Sequence, residues 1–504
     1  MSEEVKDIQA TPPKDETSNY RSIFKATSLF GGVQVWKILI TIVQTKFVAL
    51  ILGPTGMGIK GLYSSATSLI QSVTAMGLSN SAVRDVSEAN GTGDEMKVSR
   101  TVAVLRKLVW FTGLLGMISV IVLSPVLSKT TFGDYSYTIP FIILSVTLLL
   151  AQLAAGQNVI LQGTRKLRYL AKAGVIGSVI SLIITVPLYY LWGVKGIVPT
   201  MVLEAISLFV LAYFFAKKVK TTPVNVTLKE AIHDGKGMMS LGLVMTYNSM
   251  LVLGMQYLVR IFITRIGGIA DVGLLNAGAA VVNTYVGMVF SAMSTDYYPR
   301  LAAANSDNYR FHKEVNQQME VAMLIIGPML LLFILAAPAA VIALYSQKFL
   351  PIVGYMKWAA LAIVFKTISW TISYMIIAKG DKRTFAINET IINILSLFTN
   401  IGAYYLWGIT GLGIAFLVMT VIYTVLVYGV THKKYGYTLS NNVIHIVFIQ
   451  MLCIVPMFML QCLWNSIWSY LSSITILLIG CYYSYNELNK RINIKQAIQQ
   501  KRKK

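Results

Sequence analysis

Long apolar segments, separated by short polar connections, run through most of this chain. A hydrocarbon core about 30 Å thick takes about 20 residues of helix, so each segment is long enough to cross a bilayer. Gly, Pro and Ser recur inside the segments, and a lipid-facing sheet edge is not tolerated in a membrane, so the pattern predicts helices. The fourteen predicted crossings cover residues 28–52, 61–78, 108–127, 137–161, 173–192, 197–215, 238–266, 272–293, 321–345, 352–377, 385–407, 412–430, 443–463 and 467–485.

The composition agrees with an all-α polytopic membrane protein, since 55% of the 504 residues are hydrophobic and only 13% are charged. The three cysteines have neither disulfide nor zinc spacing. No GxxxxGK[ST] phosphate loop is present, so ATP hydrolysis is not expected. The sequence predicts neither an enzyme nor a bound cofactor. The net charge of +22 lies in short clusters between apolar runs, which indicates membrane topology and no nucleic-acid partner.

The basic residues also predict the orientation, because Lys and Arg concentrate in cytoplasmic connections. The two tails and the even-numbered connections hold 33 of the 43 Lys and Arg, and the odd-numbered connections hold 4. The polar amino-terminal stretch is not of the cleaved signal-peptide type. We therefore expect a multi-pass protein of the bacterial inner membrane with both termini in the cytoplasm.

An internal repeat organises the segments. The sequence YYLWGVKG at Tyr189 returns as YYLWGITG at Tyr404, 215 positions later. GTRK at Gly163 is echoed by GDKR at Gly380, and Gly58 falls opposite Gly273. Two parallel six-helix repeats are a transporter architecture, with the cargo site expected between the halves near the bilayer midplane. The alternative is that YYLWG is an ordinary aromatic belt followed by a turn.

The repeat divides the chain into predicted domains. These are a cytoplasmic tail (1–27), an N-lobe (28–217), a cytoplasmic linker (218–237), a C-lobe (238–434), a further helix pair (435–487) and a basic cytoplasmic tail (488–504).

Six basic residues fall inside predicted helices, where each costs on the order of 3 kcal/mol unless it faces a partner or a water-filled cavity. Only Glu204, Glu320 and Glu389 are available there as carboxylates, so the interior is predicted to receive an anion. For the cations near helix ends, snorkelling to the headgroups is the alternative. For Lys37 and Arg260 the alternative is a buried ion pair. The six are Lys37, Lys46, Arg260, Arg265, Lys357 and Lys366.

Polar residues accompany these cations on two helices. A stripe at helical spacing joins Lys37 to Gln34, Thr41 and Gln44, whereas Lys46 lies about 180° away on an ideal helix. Asn248, Gln256 and Arg260 share a face of the seventh crossing. Glu204 lies well inside the sixth and either titrates in a proton-coupled cycle or is a permanently protonated structural group.

The stretch SLFGGVQVWKILITIVQTKFVALILGPTGMGIKGLYSSATSLIQSVTAMGLSNSAVRDVSEA, residues 28–89, resembles the opening of bacterial O-antigen and enterobacterial-common-antigen flippases. These belong to the multidrug/oligosaccharidyl-lipid/polysaccharide exporter (MOP) superfamily. The resemblance implies a V-shaped, two-lobed transporter whose cargo is an undecaprenyl-diphosphate-linked oligosaccharide for lipopolysaccharide or related biosynthesis. It implies that Lys37, Lys46, Arg260 and, at the cytoplasmic mouth, Arg84 engage the diphosphate.

The expected function is thus a flippase whose partners are an anionic lipid-linked oligosaccharide, the bilayer and the polysaccharide polymerase machinery. Candidate binding residues are Lys37, Lys46, Arg260, Arg265, Lys366, Arg84, Gln34, Gln44 and Asn248, with Asn276 and Asn283 beside the saccharide. Many O-antigen flippases have twelve helices and the similar lipid II flippases fourteen, so a lipid II flippase stays open. So does a cation-coupled drug exporter, although its cargo favours carboxylates. A membrane glycosyltransferase or polymerase is disfavoured by the short external connections.

Overall fold

The structure, a computed structural model, describes the backbone of residues 14–219, 221–463 and 466–492, and side chains from Trp36 onward apart from 244, 245, 285, 286, 295, 463 and 492. Every regular element in these ranges is helical. The α-helices are α1 Lys14–Thr74, α2 Leu78–Gly91, α3 Glu95–Phe132, α4 Thr138–Gly163, α5 Leu167–Trp192, α6 Ile197–Ala216, α7 Leu228–Asp234, α8 Lys236–Ile266, α9 Ile269–Ala303, α10 Asn308–Leu344, α11 Ile352–Ala378, α12 Lys382–Tyr435, α13 Asn441–Leu463 and α14 Ile467–Ile492. Short 3-10 turns occupy Gly193–Gly196 and Gln347–Phe349.

The described residues contain the predicted number of crossings. Eleven helical stretches are long and apolar enough to span a membrane. Three of them, Trp36–Thr74, Leu167–Ala216 and Lys382–Tyr435, are each divided into two crossings by an interruption of the α-helix, at Gly53, at the turn Gly193–Gly196 and at Gly408. This confirms the prediction of an all-α polytopic protein with about fourteen transmembrane helices.

Two helices were absent from the prediction, and several begin earlier than predicted. The 14-residue α2 buries Leu78, Ala82 and Val86 and exposes a polar face, while the seven-residue α7 begins with a capping box between Thr227 and Glu230. Helices α3 and α10 start 13 residues before their predicted apolar segments. A prediction from hydropathy ends a segment at the first charged residues. The helix itself can continue into the aqueous phase, because its backbone hydrogen bonds do not require apolar side chains.

The backbone conformation repeats with the period found in the sequence. Gly53 (φ 63°, ψ −169°) and Gly268 (φ 89°, ψ 175°) are 215 positions apart, and so are Gly193 (φ 54°, ψ −131°) and Gly408 (φ 57°, ψ −142°). Each pair lies at the sharp turn between two crossings, in a region that only glycine adopts readily.

A third pair corrects the alignment of the polar turns. Arg165 (φ 55°) and Gly380 (φ 71°) are the left-handed residues of their turns and again lie 215 positions apart. The match of GTRK with GDKR was therefore two residues out of step.

The YYLWG segments have the same burial in both copies. Tyr189 and Tyr404 are 0% and 4% exposed, whereas Trp192 and Trp407 are 55% and 57% exposed. The exposed tryptophans fit the aromatic belt at a membrane surface. The buried tyrosines are not explained by a belt, so the segment is both a belt and part of a structural repeat.

The helices form two compact units. Within the described residues, unit 1 comprises the chain up to Thr45, Val73–Val122 and Ile142–Thr246, with a core that includes Leu78, Leu105, Leu108 and Ile160. Unit 2 comprises Lys46–Ser72, Leu123–Phe141 and the described residues from Tyr247 onward, with a core centred on α10 and α11. The predicted domain boundaries stay predictions.

Within unit 2, α1 and α9 pack closely where each has a glycine. A side chain at Gly58 would collide with the backbone oxygen of Ile269, and one at Gly273 would collide with the backbone oxygen of Pro54. The two contacts are equivalent under the repeat, because both partners are shifted by 215 positions. Gly58 and Gly273 therefore match in structure as they do in sequence.

Candidate functional site

Three of the six intramembrane cations bind backbone carbonyl oxygens at or near the carboxyl ends of helices. Lys46 Nζ donates to the carbonyl oxygens of Ile342 and Tyr345, both at 2.7 Å, at the end of α10. Arg265 donates to the carbonyls of Lys129 and Thr130 near the end of α3. The third, Lys357, donates to the carbonyl of Gln461 near the end of α13 at 2.5 Å.

These contacts give the three cations a structural role. The last carbonyls of a helix have no intrahelical partner, and the helix dipole favours positive charge there. In the described residues they are therefore held by protein, and snorkelling does not account for their contacts. Their geometry favours helix capping over the binding of cargo, which was predicted for Lys46 and Arg265.

Arg260, on α8, has only neutral hydrogen-bond partners among the described residues. Its Nε donates to Asn276 Oδ1 at 3.1 Å, and its Nη1 lies 3.4 Å from Gln256 Oε1. Asn276 lies against α1, because any side chain at Gly61 would collide with its amide. Asn276 and Gln256 thus orient the guanidinium without neutralising it, which leaves its charge available to an anion.

Lys366 and Lys37 likewise lack an ion pair in the part of the chain that the structure describes. Lys366 Nζ lies 5.9 Å from the ring centroid of Phe290 and 5.6 Å from that of Phe416, within the range of weak cation–π attraction. Lys37 lies against Gly174 on α5, where a larger residue would collide with its ammonium group. Glycine at this position makes the room that the lysine side chain occupies.

Three carboxylates of the described helix interiors bind other partners. Asp271 Oδ2 accepts from the Tyr404 hydroxyl at 2.5 Å, and Glu389 Oε1 accepts from Tyr423 at 2.7 Å. Glu320 pairs with Arg491 at 2.8 Å. Accordingly, the described residues offer no ion-pair partner to Lys37 or Arg260, and the buried ion-pair alternative is not supported there.

Glu204 is at the centre of a polar cluster in unit 1. Its Oε1 accepts from Ser181 Oγ at 2.5 Å, Thr185 Oγ1 at 2.7 Å and Gln44 Nε2 at 3.2 Å. All three of these donors are neutral, and no ion pair joins Glu204 to Lys37 among the described residues. Gln44 is thereby brought to Glu204, which the sequence did not predict.

The remaining predicted residues are more dispersed. Arg84 lies on the exposed face of α2, its Nε 4.0 Å from Asp85 Oδ1. Asn248, on α8, has a buried Oδ1 without a hydrogen bond among the described residues, and Asn283 is exposed on α9. The side chain of Gln34 lies outside the described residues.

Sequence reasoning missed Ser181 and Thr185, the hydroxyls that hold Glu204. Their i, i+4 spacing on an otherwise apolar helix is the signal that could have indicated a polar face. Gly174 and the pairing of Asp271 with Tyr404 had no such signal, because their partners are more than a hundred residues away in the chain.

Comparisons with known proteins agree with this architecture. A family model described as "Polysaccharide biosynthesis protein" matches residues 47–354. No curated protein matches the sequence. The chain is similar in structure to the lipid II flippase MurJ in an inward closed conformation, with TM-score 0.71 and 16% identity over 92% of this chain and 99% of that one.

Two transporters of the MOP superfamily are also similar in structure. One is a multidrug resistance MATE family transporter in an inward-facing conformation, with TM-score 0.66 and 14% identity over 79% of this chain and 94% of that one. The other comes from Pyrococcus furiosus and carries a binding pocket described as having reverse polarity, with TM-score 0.54 and 13% identity over 82% of this chain and 97% of that one. The chain therefore belongs to the polysaccharide biosynthesis protein family and has the all-helical fold of MOP-superfamily transporters.

Proposed function

We propose that this protein is a flippase that carries an undecaprenyl-diphosphate-linked oligosaccharide, an O-antigen or related repeat unit, from the cytoplasmic to the periplasmic leaflet of a bacterial inner membrane. The observation that supports this most directly is the set of intramembrane cations without a carboxylate partner among the described residues, Lys37, Arg260 and Lys366. A diphosphate is the anion that such a lipid-linked cargo presents.

Binding in this proposal is electrostatic and involves no covalent step. The guanidinium of Arg260 suits phosphate oxygens because its planar fork donates two parallel hydrogen bonds. Charged contacts are stronger in an environment of low dielectric than in water. The saccharide would contact polar side chains such as Gln44, Asn248, Asn276 and Asn283, and the prenyl chain would stay in lipid.

Transport would follow alternating access of the lobes predicted at 28–217 and 238–434. Parallel repeats are a common basis for such cycles. The family, which is one of polysaccharide biosynthesis, supports a saccharide-bearing cargo. The similarity to a lipid II flippase supports a polyprenyl-diphosphate carrier, and with fourteen crossings it keeps lipid II as the second candidate cargo.

A cation-coupled drug exporter is disfavoured by charge. Cationic drugs are best bound by free carboxylates. Glu320 is already paired with Arg491, and Asp271, Glu389 and Glu204 accept from neutral donors. The cations Lys37, Arg260 and Lys366 have no carboxylate partner among the described residues.

The experiment is a translocation assay in reconstituted vesicles. Fluorescent undecaprenyl-diphosphate oligosaccharide and labelled lipid II are placed in one leaflet, and their appearance in the other is followed. We expect the protein to accelerate the movement of one of these lipids between the leaflets. Arg260→Gln should reduce the rate of that movement at least tenfold. Lys348→Gln, which removes an exposed cation from a 3-10 turn, is the matched control and should keep the rate. Transport of a cationic dye together with no transport of either lipid would overturn the proposal.

A further inference from the structure

A basic cavity lies within unit 1, and neither Lys37 nor Arg260 lines it. It has a volume of about 550 Å³ and opens between α3, α4 and α6, at the end of the helices predicted to face the cytoplasm. Its lining includes Arg106, Trp110, Gln157, Tyr213 and Lys217. The side chains of Trp110 and Tyr213 are half exposed, so the cavity is open on an aromatic, apolar side.

The cavity carries positive charge without compensation. Arg106 and Lys217 are the charged residues of its described lining, which contains no carboxylate. Neither forms an ion pair among the described residues. The neighbouring cations differ, because Arg100 pairs with Asp234 at 3.0 Å and Lys218 lies over the rings of Tyr169, Phe214 and Phe215.

Gln157 gives a second, independent indication of a ligand. The residue is only 8% exposed, and its Oε1 is buried without a hydrogen bond among the described residues. A buried acceptor that has lost water without gaining a partner destabilises the native state. A ligand hydroxyl would satisfy this oxygen, whereas a bare phosphate, which offers mainly acceptors, would not.

We propose that this cavity binds an anionic glycerophospholipid whose headgroup carries hydroxyls, such as phosphatidylglycerol. The phosphate lies between Arg106 and Lys217, a headgroup hydroxyl donates to Gln157, and an acyl chain follows the exposed rings of Trp110 and Tyr213. Basic recesses between transmembrane helices on the cytoplasmic side are suited to anionic headgroups. Aromatic side chains with one polar end favour the same interfacial depth.

A bound lipid would act as a structural ligand of unit 1. It bridges α3, α4 and α6 and stabilises the native state by mass action. Lipid binding at this cavity is independent of the identity of the transported cargo, because neither Lys37 nor Arg260 lines the cavity.

The test measures lipid retention by native mass spectrometry and the thermal midpoint of the purified full chain. Phosphatidylglycerol, phosphatidylethanolamine and inorganic phosphate are added separately. We expect the wild-type protein to retain phosphatidylglycerol at least fivefold over phosphatidylethanolamine, with a rise in thermal midpoint. The double variant Arg106→Gln/Lys217→Gln should lose this preference. Lys107→Gln, which removes an exposed cation next to Arg106 outside the lining, should keep it.

Gln157→Met keeps the proposal testable if the double variant does not fold. It removes the unpaired oxygen, so the lipid-free protein should be at least as stable as the wild type while phosphatidylglycerol retention falls. Equal retention of both lipids, or equal loss in the Lys107→Gln control, overturns the proposal. If inorganic phosphate alone raised the thermal midpoint as much as phosphatidylglycerol does, the cavity would bind a free anion and the proposal would be overturned. Displacement of phosphatidylglycerol by undecaprenyl diphosphate would also overturn it, because the cavity would then bind the cargo.

Discussion

Lys37 and Lys46 lie on the same helix, about two and a half turns apart, and have different surroundings. Lys46 binds two carbonyls at the end of α10, whereas Lys37 lies beside Gly174 with no charged partner among the described residues. Their spacing predicted opposite faces, and they contact different helices. Tertiary packing decides whether the carboxyl end of another helix lies close enough to a cation to be capped by it. The sequence therefore identified all six cations but could not distinguish those that cap helices from those that do not.

Glu204 carries a prediction at this scale. If it gains and loses a proton during transport, Glu204→Gln should abolish the response of transport to an imposed pH gradient in reconstituted vesicles. The amide retains an oxygen that can accept from Ser181 and Thr185, so folding should be preserved. Gradient-dependent transport equal to that of the wild type would limit Glu204 to a role in helix packing.

A second residue-scale prediction concerns Asp381, which caps α12 outside the membrane. Hydrogen bonds from Lys434, at 2.8 Å, and from Thr384 hold the pKa of its carboxyl well below the ordinary value. A depressed pKa contributes stability that is complete above the ordinary aspartate pKa of about 3.9 and is lost as the pH falls through the lowered one.

Asp381→Asn should therefore lower the thermal midpoint by the same amount at pH 5, 6.5 and 8. The measurement is a thermal unfolding series of both proteins in one detergent. A difference that shrinks between pH 8 and pH 5 would contradict this account of the pair.

Among the elements, the turn glycines occupy equivalent positions of the two sequence repeats and have the same backbone conformation. Gly193 and Gly408 have positive φ, and a Cβ added at either position would have no neighbouring atom within 4 Å, so their requirement for glycine is one of backbone conformation. An alanine in such a region costs about 1–3 kcal/mol.

Gly408→Ala is thus expected to destabilise the protein by about 1–3 kcal/mol, measured as a lowered thermal midpoint. Gly402→Ala is the matched control, because Gly402 is helical within the same α12 and also has no atom within 4 Å of an added Cβ. It should be neutral or slightly stabilising, since alanine favours helix. Equal loss in both variants would contradict a requirement for glycine at 408 that is set by its backbone conformation.

The elements show where sequence reasoning succeeds and where it stops. Apolar length predicted every crossing, because the bilayer sets a fixed requirement. It missed α2 and α7, whose amphipathic or polar faces carry no such signal, and it shortened α3 and α10 at their charged ends. The sequence shows the repeat at Tyr189 and Tyr404. The correct pairing of Arg165 with Gly380, two residues away from the pairing of Gly163 with Gly380, was found only from the backbone angles.

For the molecule as a whole, the partition of loop cations predicts topology. A reporter active only in the cytoplasm should be active when fused after Lys434 and inactive when inserted at Asp134, since 33 loop and tail cations lie on one predicted side and 4 on the other. Activity at Asp134 would reverse the assignment of both termini to the cytoplasm.

In the proposed mechanism the free intramembrane cations bind the diphosphate and the capping cations do not. The most direct measurement is equilibrium binding of undecaprenyl diphosphate to the purified protein and to single variants of matched chemistry. We predict that Lys37→Gln, Arg260→Gln and Lys366→Gln each weaken binding about tenfold, which is about 1.4 kcal/mol. Lys46→Gln and Lys357→Gln should keep the wild-type affinity and instead lower the thermal midpoint, because each leaves helix carbonyls without a cap. Loss of affinity in the capping variants, or wild-type affinity in Arg260→Gln, would contradict the account.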